Sequence, residues 1–226
     1  MVTYHKDIEQ GTPEWHDLRR GIITASVAGK LITPTGKVAN NETVRQLAYS
    51  LAAERITGRS EPSHQTFDMA RGQIEEVFAR DLYNANYEPA EQCGFIENDS
   101  LGFRIGYSPD GVTKHGLIEI KSRLAKFQIS TILAGEVPEE YMAQLQFGLL
   151  VSERPFIDFI QYSNGMALYV QTVRPDEAMQ SVLKEALIAF EIRVNQIISN
   201  YTLKSAGLVV ADYIQHVDGS EIETND

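Results

Sequence analysis

Short strand-like segments set among long helical ones are the feature that most limits the fold of this chain. Helical spacing of apolar residues occurs in residues 42–58, 65–86, 139–152 and 174–199. Five other segments are short, β-branched or aromatic, and bounded by Gly, Asn, Asp or Pro: EQCGFIEN, FRIGYSPDGV, GLIEIKS, RPFIDFIQYS and MALYVQTV. This order predicts an α/β protein, an α+β mixed sheet flanked by helices.

Two further helices are predicted near the N-terminus. Pro13 follows Thr12 as a first-turn proline follows a cap, and Thr24 or Ser26 fits the cap of a second helix. At 226 residues the chain suits one domain, which we assign to residues 1–216. The remaining segment, 217–226, is acidic without Lys or Arg, and we expect it to be disordered.

The amino-acid composition limits which classes of protein this chain can belong to. With 43% hydrophobic and 23% charged residues, the chain resembles an ordinary globular protein. It has no apolar run of about 18 residues and no apolar signal core at its polar N-terminus, so we expect a cytoplasmic protein with no membrane contact. A lone Cys93 excludes an internal disulfide framework. The net charge of −11 argues weakly against nucleic-acid binding, because acidic metal ligands and an acidic tail also count in that sum.

Residues 107–121, YSPDGVTKHGLIEIK, place charged side chains in an apolar strand. Alternation puts Glu119 and Lys121 on one face of that strand. By itself this pair is typical of a solvated strand face, and SPDG by itself is typical of a type I turn. Together, however, a chain reversal at residues 113–116 would bring Asp110 next to Glu119.

Carboxylate oxygens are the hard ligands that Mg²⁺ prefers, and the backbone carbonyl of Ile120 is a further candidate ligand. An ammonium group at Lys121 would orient and polarise an attacking water, while metal ions stabilise the attacking and leaving oxygens of a phosphate displacement. The pattern of P-D, a spacer and E-x-K is the signature of the restriction-endonuclease-like PD-(D/E)XK nuclease core.

Four ordered motifs carry a more specific resemblance. They are WHDLRRGIITAS (residues 15–26), RGQIEEVFAR, the YSPDG and IEIK pair, and YMAQLQFGLLV. In this order they resemble the motifs of phage lambda exonuclease and its relatives, the YqaJ-like viral recombinases. The resemblance extends from Trp15 to the last predicted helix.

The resemblance implies a role for each matched residue. Asp110 and Glu119 are implied as metal ligands, with Lys121 positioning or activating the nucleophilic water. Glu76 is implied as the helix glutamate that completes the metal site, and its neighbour Glu75 is the rival candidate.

Further roles follow from the same resemblance. Gln144 is implied to orient groups in the site, and Tyr141 lies one turn earlier on the same helix face. Arg19, Ser26 and Ser108 are implied to form a pocket for a 5′-terminal phosphate. Without the resemblance, Arg19 would be interpreted as a solvated helix residue and Ser26 as a cap only.

Other residues are assigned no part in the chemistry, or a part in contacts with the duplex alone. Trp15 is interpreted as a packing residue and His115 as a turn residue. The loop TPTGKVANN is less basic than its counterpart in lambda exonuclease, and Lys30, Lys37 and Arg45 are the candidates for contacts with the downstream duplex.

The activity implied is a Mg²⁺-dependent exonuclease that digests one strand of double-stranded DNA from 5′ to 3′. It uses two ions, which Mn²⁺ would replace, releases mononucleotides and leaves a 3′ single strand. A homotrimer and a single-strand annealing partner are implied as well. The alternatives are another nuclease on the same fold, either an endonuclease or a single-strand nuclease, and a non-catalytic DNA-binding module.

Overall fold

A computed structural model describes residues 1–33, 36–60 and 67–213, without the side chains of residues 67–69. The predicted acidic tail therefore lies outside the described residues. The helices are α1 (Pro13–Arg19), α2 (Ala25–Ala28), α3 (Glu42–Thr57), α4 (Phe67–Asn86), α5 (Ala125–Ala134), α6 (Glu139–Ser152) and α7 (Glu177–Ser205). The strands are β1 (Val2–His5), β2 (Ile23–Thr24), β3 (Phe95–Asn98), β4 (Ile105–Tyr107), β5 (Gly111–Val112), β6 (Leu117–Ser122), β7 (Ile157–Tyr162) and β8 (Tyr169–Val173).

The strands form two mixed four-stranded sheets. Their orders are β1-β3-β4-β2 and β5-β6-β7-β8. The β2–β4 and β6–β7 pairs are parallel and the other pairs are antiparallel. The prediction of a mixed sheet flanked by helices is confirmed, with the strands divided between two sheets. The chain crosses from one sheet to the other at residues 108–110, where Pro109 lacks the backbone N–H that a continuing ladder requires.

Most predicted elements are confirmed, and the differences have physical causes. The helix predicted at 139–152 is found with the same bounds, and Thr12 caps α1 by accepting from the Trp15 backbone N–H. Thr24 occupies the cap position of α2 without a side-chain cap bond. Prediction missed the four-residue β1 and the two-residue β2. It also missed α5, whose N-cap position holds Leu124 and whose apolar side chains are largely exposed.

The two faces of β6 pack against different helices, and this orients the charged residues. Ile118 and Ile120 form a small buried cluster with Ala79 and Tyr83 of α4. Leu117 on the opposite face joins the main core, to which α6 and α7 contribute. Because strand side chains alternate, Glu119 and Lys121 share the α6 side with Leu117.

An ion pair fastens α3 to α7. The Arg55 guanidinium donates to both carboxylate oxygens of Glu191, at 2.7 and 2.8 Å, and its Nε donates to the Gly21 carbonyl at 2.8 Å. The Arg55 and Glu191 side chains are only 23% and 12% exposed. The pair thus ties the helical layer to the loop before β2.

Within the described residues, no helix is both long enough and apolar enough to cross a membrane.

We expect Glu191→Ala to lower the free energy of unfolding by about 3 kcal/mol, because Arg55 would keep a largely buried charge without its partner. Glu185→Ala, on the exposed side of the same helix, is the matched control and should change stability by less than about 0.5 kcal/mol. Urea unfolding of both variants checks this. Equal stability losses would show that the ion pair does not fasten the two helices.

Candidate active site

The β5–β6 hairpin brings Asp110 and Glu119 together. Thr113 donates its backbone N–H to the Gly116 carbonyl at 3.0 Å and closes the chain reversal. The Ile120 backbone N–H then donates to Asp110 Oδ2 at 2.5 Å. Gly111 permits this approach, since a Cβ there would stand 2.9 Å from the Ile118 side chain. The predicted meeting of the two carboxylate residues within one hairpin is found.

Glu119 is a buried carboxylate held on both oxygens. Its side chain is 3% exposed. Oε2 accepts from the Tyr107 hydroxyl at 2.6 Å. Oε1 accepts from Lys121 Nζ at 2.7 Å and from Gln144 Nε2 at 2.5 Å. Three donors from β4, β6 and α6 therefore fix this carboxylate, as a buried charge requires.

Negative charge is crowded around the hairpin. Burial raises the pKa of Asp110 well above its ordinary value, and the Glu119 and Glu76 carboxylates raise it further. Burial alone would lower the pKa of Lys121, yet Glu119 and Asp110 raise it above its ordinary value. Lys121 Nζ donates a hydrogen bond to the Glu119 carboxylate.

Helix α4 supplies a third carboxylate. Burial raises the pKa of Glu76, an effect that Arg80 opposes and Glu119 reinforces. Glu76 Oε1 accepts from Arg80 Nη2 at 3.0 Å, and Arg80 Nη1 donates to the Asp110 carbonyl at 3.0 Å. Glu75, the rival candidate, instead accepts from the Ser122 hydroxyl. Of the two glutamates, Glu76 is thus the one that interacts with the Asp110 and Glu119 pair.

The donor set suits a hard divalent cation. Asp110, Glu119 and Glu76 offer carboxylate oxygens whose crowding a cation would relieve. Over the described ranges, no three His, Cys, Asp or Glu side chains already stand in a metal-holding arrangement. Glu119 is paired with Lys121, and Glu76 with Arg80. Ile120 binds Asp110 through its N–H, and its carbonyl as a ligand stays a prediction.

A second polar cluster adjoins the hairpin. Ser108 Oγ accepts from Arg19 Nη1 and from Trp15 Nε1, each at 2.9 Å. The Arg19 guanidinium carbon lies 4.1 Å from the Trp15 ring centroid. Burial lowers the pKa of Arg19 to about 10, against the influence of Glu54. The structure therefore brings Arg19 and Ser108 together. Ser108 precedes Asp110 in the chain by two residues.

Ser26 forms its side-chain hydrogen bond outside the Arg19 and Ser108 cluster. It is an exposed residue of α2, and its hydroxyl lies 3.1 Å from the Thr24 hydroxyl. Its role in phosphate binding stays a prediction.

Tyr141 lies beside the catalytic candidates on α6. Its ring stacks on Phe159 at a centroid distance of 5.4 Å, and Lys121 Nζ is 5.5 Å from that ring. Gln146 on the same helix is buried, donates to the Arg174 carbonyl and accepts from the Asp176 N–H. Gln144 is thus the glutamine of this helix that contacts the site, while Gln146 fastens the entry to α7.

Sequence reasoning missed two residues of the site, Tyr107 and Arg80. Arg80 follows Glu76 by four positions, a spacing that by itself predicts a helix ion pair. Tyr107 directly precedes Ser108 and is 1% exposed. A buried tyrosine needs a partner for its hydroxyl, but only the folded hairpin shows that Glu119 is that partner.

Known proteins share this fold over most of their length. An alkaline exonuclease from Laribacter hongkongensis (LHK-Exo) is 26% identical, with a TM-score of 0.77 over 88% of this chain and 100% of that chain. A structure of LHK-Exo with dAMP is 27% identical, with the same TM-score and coverage. A phage-related exonuclease from Haemophilus somnus 129PT, 15% identical with a TM-score of 0.54, covers 79% of this chain and 96% of its own and supports the fold alone.

The sequence comparison supplies the family. No curated protein sequence matches this chain significantly. The model of the YqaJ-like viral recombinase domain matches residues 14–155, which include α1 from its second residue, the hairpin, Glu76 and Gln144. That match covers more than half of the chain, and the exonuclease structures agree with it in fold. The chain therefore belongs to the YqaJ-like viral recombinase domain family, and it is a nuclease.

Proposed function

We propose that this nuclease is a Mg²⁺-dependent exonuclease that digests one strand of double-stranded DNA from 5′ to 3′. It releases mononucleotides and leaves a 3′ single-stranded overhang. The observation that carries the proposal is the juxtaposition of two clusters on one short segment. Ser108 belongs to the Arg19 cluster, and Asp110, two residues later, belongs to the carboxylate cluster.

Asp110 and Glu119 would hold the divalent ions, with Glu76 and the Ile120 carbonyl completing the ligand set. Two bound Mg²⁺ ions, which Mn²⁺ would replace, supply charge stabilisation to the attacking and leaving oxygens of phosphodiester hydrolysis. The other residues act by position. Gln144 and Tyr107 fix the Glu119 carboxylate. Lys121, which lies beside Glu119 and donates to it, would also donate to the attacking water and orient it.

The Arg19 cluster accounts for the preference for a DNA end. A guanidinium offers a rigid fork of donors to a phosphate, and the Ser108 hydroxyl adds one more. Trp15 holds both through its ring and its Nε1. Since only Pro109 separates Ser108 from Asp110, a bound 5′-phosphate would lie about one nucleotide from the cleaved bond. The dAMP bound by LHK-Exo agrees with a mononucleotide product.

The biological setting is proposed from the family. A viral recombinase domain fits a role in phage-type homologous recombination, with a single-strand annealing protein that loads on the exposed strand. We also propose a homotrimer that encloses the DNA, and a cytoplasmic location. An acidic outer surface around a more basic channel would reconcile the net charge of −11 with a DNA substrate.

The proposal predicts strict dependence on a DNA end. With Mg²⁺, linear duplex carrying 5′-phosphates should be converted to mononucleotides and single strands, while a covalently closed circle of the same sequence should persist. Product analysis by electrophoresis and chromatography measures both. Loss of the closed circle as fast as the linear duplex would replace the exonuclease with an endonuclease on the same fold.

Arg19→Lys should weaken recognition of the 5′-phosphate. The variant keeps the charge but loses the guanidinium fork that contacts Ser108. We expect the rate ratio between 5′-phosphorylated and 5′-hydroxyl ends to fall by about tenfold, the size of one lost charge-assisted hydrogen bond. Arg20→Lys is the matched control, because Arg20 is paired with Asp17. An unchanged ratio in Arg19→Lys would remove Arg19 from the phosphate pocket.

A further inference from the structure

Arg123 extends the charged face of β6 by one more side chain. It follows Lys121 by two residues, and its backbone N–H donates to the Tyr162 carbonyl at 2.9 Å, which continues the ladder with β7. Its guanidinium carbon lies 5.6 Å from the Tyr141 ring, and Lys121 Nζ lies 5.5 Å from the same ring. Lys121 and Arg123 therefore both contact one aromatic ring at the edge of the catalytic site.

The guanidinium of Arg123 is fixed in place but remains accessible. Its carbon lies 4.4 Å from the Phe127 ring, and Nη1 donates to the Tyr141 hydroxyl and to Glu140 Oε1, the latter at 2.6 Å. The Arg123 side chain is 27% exposed and its ionic partner Glu140 is 57% exposed. An exposed ion pair of this kind is weak, so an incoming phosphate can displace the carboxylate.

The charge of the surroundings favours such an exchange. The catalytic face carries the carboxylates of Asp110, Glu119 and Glu76, which repel a DNA strand. Lys121 is already engaged by Glu119. Arg123 is the next cation on that face, and in the described part of the chain only its Nη1 has a protein acceptor. Nε and Nη2 remain for bidentate contact with a phosphate.

We propose that Arg123 binds a backbone phosphate of the DNA strand that is being cut, next to the phosphate that is cleaved, with Glu140 occupying this position when DNA is absent. Tyr141 links the two phosphate positions, because Lys121 and Arg123 both lie against its ring. This inference rests on the proposed exonuclease function and adds a substrate contact to it.

Two pairs of variants of the full chain test the proposal. Arg123→Gln is paired with Lys126→Gln, which removes a neighbouring cation on the same Phe127 ring. Glu140→Gln is paired with Glu139→Gln, an exposed acid one residue earlier on α6. For each variant, KM and kcat are measured with linear duplex at several NaCl concentrations, and the melting temperature is recorded.

Arg123→Gln should raise KM by about tenfold, with a smaller change in kcat, as expected for the loss of one charged contact. The slope of log KM against log[NaCl] should fall by about 0.7 to 0.9, because one phosphate contact is lost. Glu140→Gln should lower KM, since it removes the group that competes with phosphate. Both control variants should keep the parental KM and slope.

Arg123→Gln would overturn the proposal if it matched Lys126→Gln in KM and slope, or if it lost only kcat. If Arg123→Gln has a lower melting temperature than the parent, the comparison of Glu140→Gln with Glu139→Gln is used instead. A KM of Glu140→Gln that is no lower than that of Glu139→Gln overturns the proposal. A parent protein that leaves linear duplex intact would instead overturn the exonuclease function itself. The two failures are therefore distinguishable.

Discussion

The hydrogen bond from the Ile120 backbone N–H to the Asp110 carboxylate is the constraint around which the rest of the site is arranged. It holds the Asp110 side chain against strand β6, which carries a second acid, Glu119, immediately before Ile120. Bringing two carboxylates together and removing them from water is costly unless donors or cations compensate. The neighbouring elements supply that compensation. Tyr107 comes from β4, Lys121 from β6 and Gln144 from α6, and Arg80 of α4 binds the Asp110 carbonyl.

The crossing between the two sheets brings the Arg19 cluster next to the carboxylates. Ser108 directly follows β4 of the first sheet and contacts Arg19 and Trp15 of α1, while Asp110 directly precedes β5 of the second sheet. A short segment around Pro109 thus couples the Arg19 cluster, the proposed phosphate pocket, to the carboxylate cluster. Because a strand flanks the segment on each side, the fold fixes the separation between the clusters. The proposed reaction would require preorganisation of this kind to position its substrate.

Periodicity and spacing predicted the local parts of this arrangement. The alternation of Glu119 and Lys121 and the reversal before them correctly placed these two side chains on one strand face next to Asp110, and α6 was predicted with its observed bounds. The features that could not be predicted from the sequence are those that depend on tertiary contacts. The two-residue strand β2 exists only because β4 lies alongside it. Likewise, the choice between Glu75 and Glu76 depends on how α4 is rotated over β6, which no spacing rule fixes.

The central claim is that Asp110 and its carboxylate neighbours form a divalent-cation site, and metal binding without DNA tests it most directly. Titration of the full chain with Mn²⁺, followed by electron paramagnetic resonance, gives the affinity without any turnover. Asp110→Asn should weaken binding by at least about tenfold, since it removes a charged ligand. Glu88→Gln is the matched control, because Glu88 is an acid outside the site that contacts His115. It should bind Mn²⁺ like the parent. Parental Mn²⁺ affinity in Asp110→Asn would contradict the account.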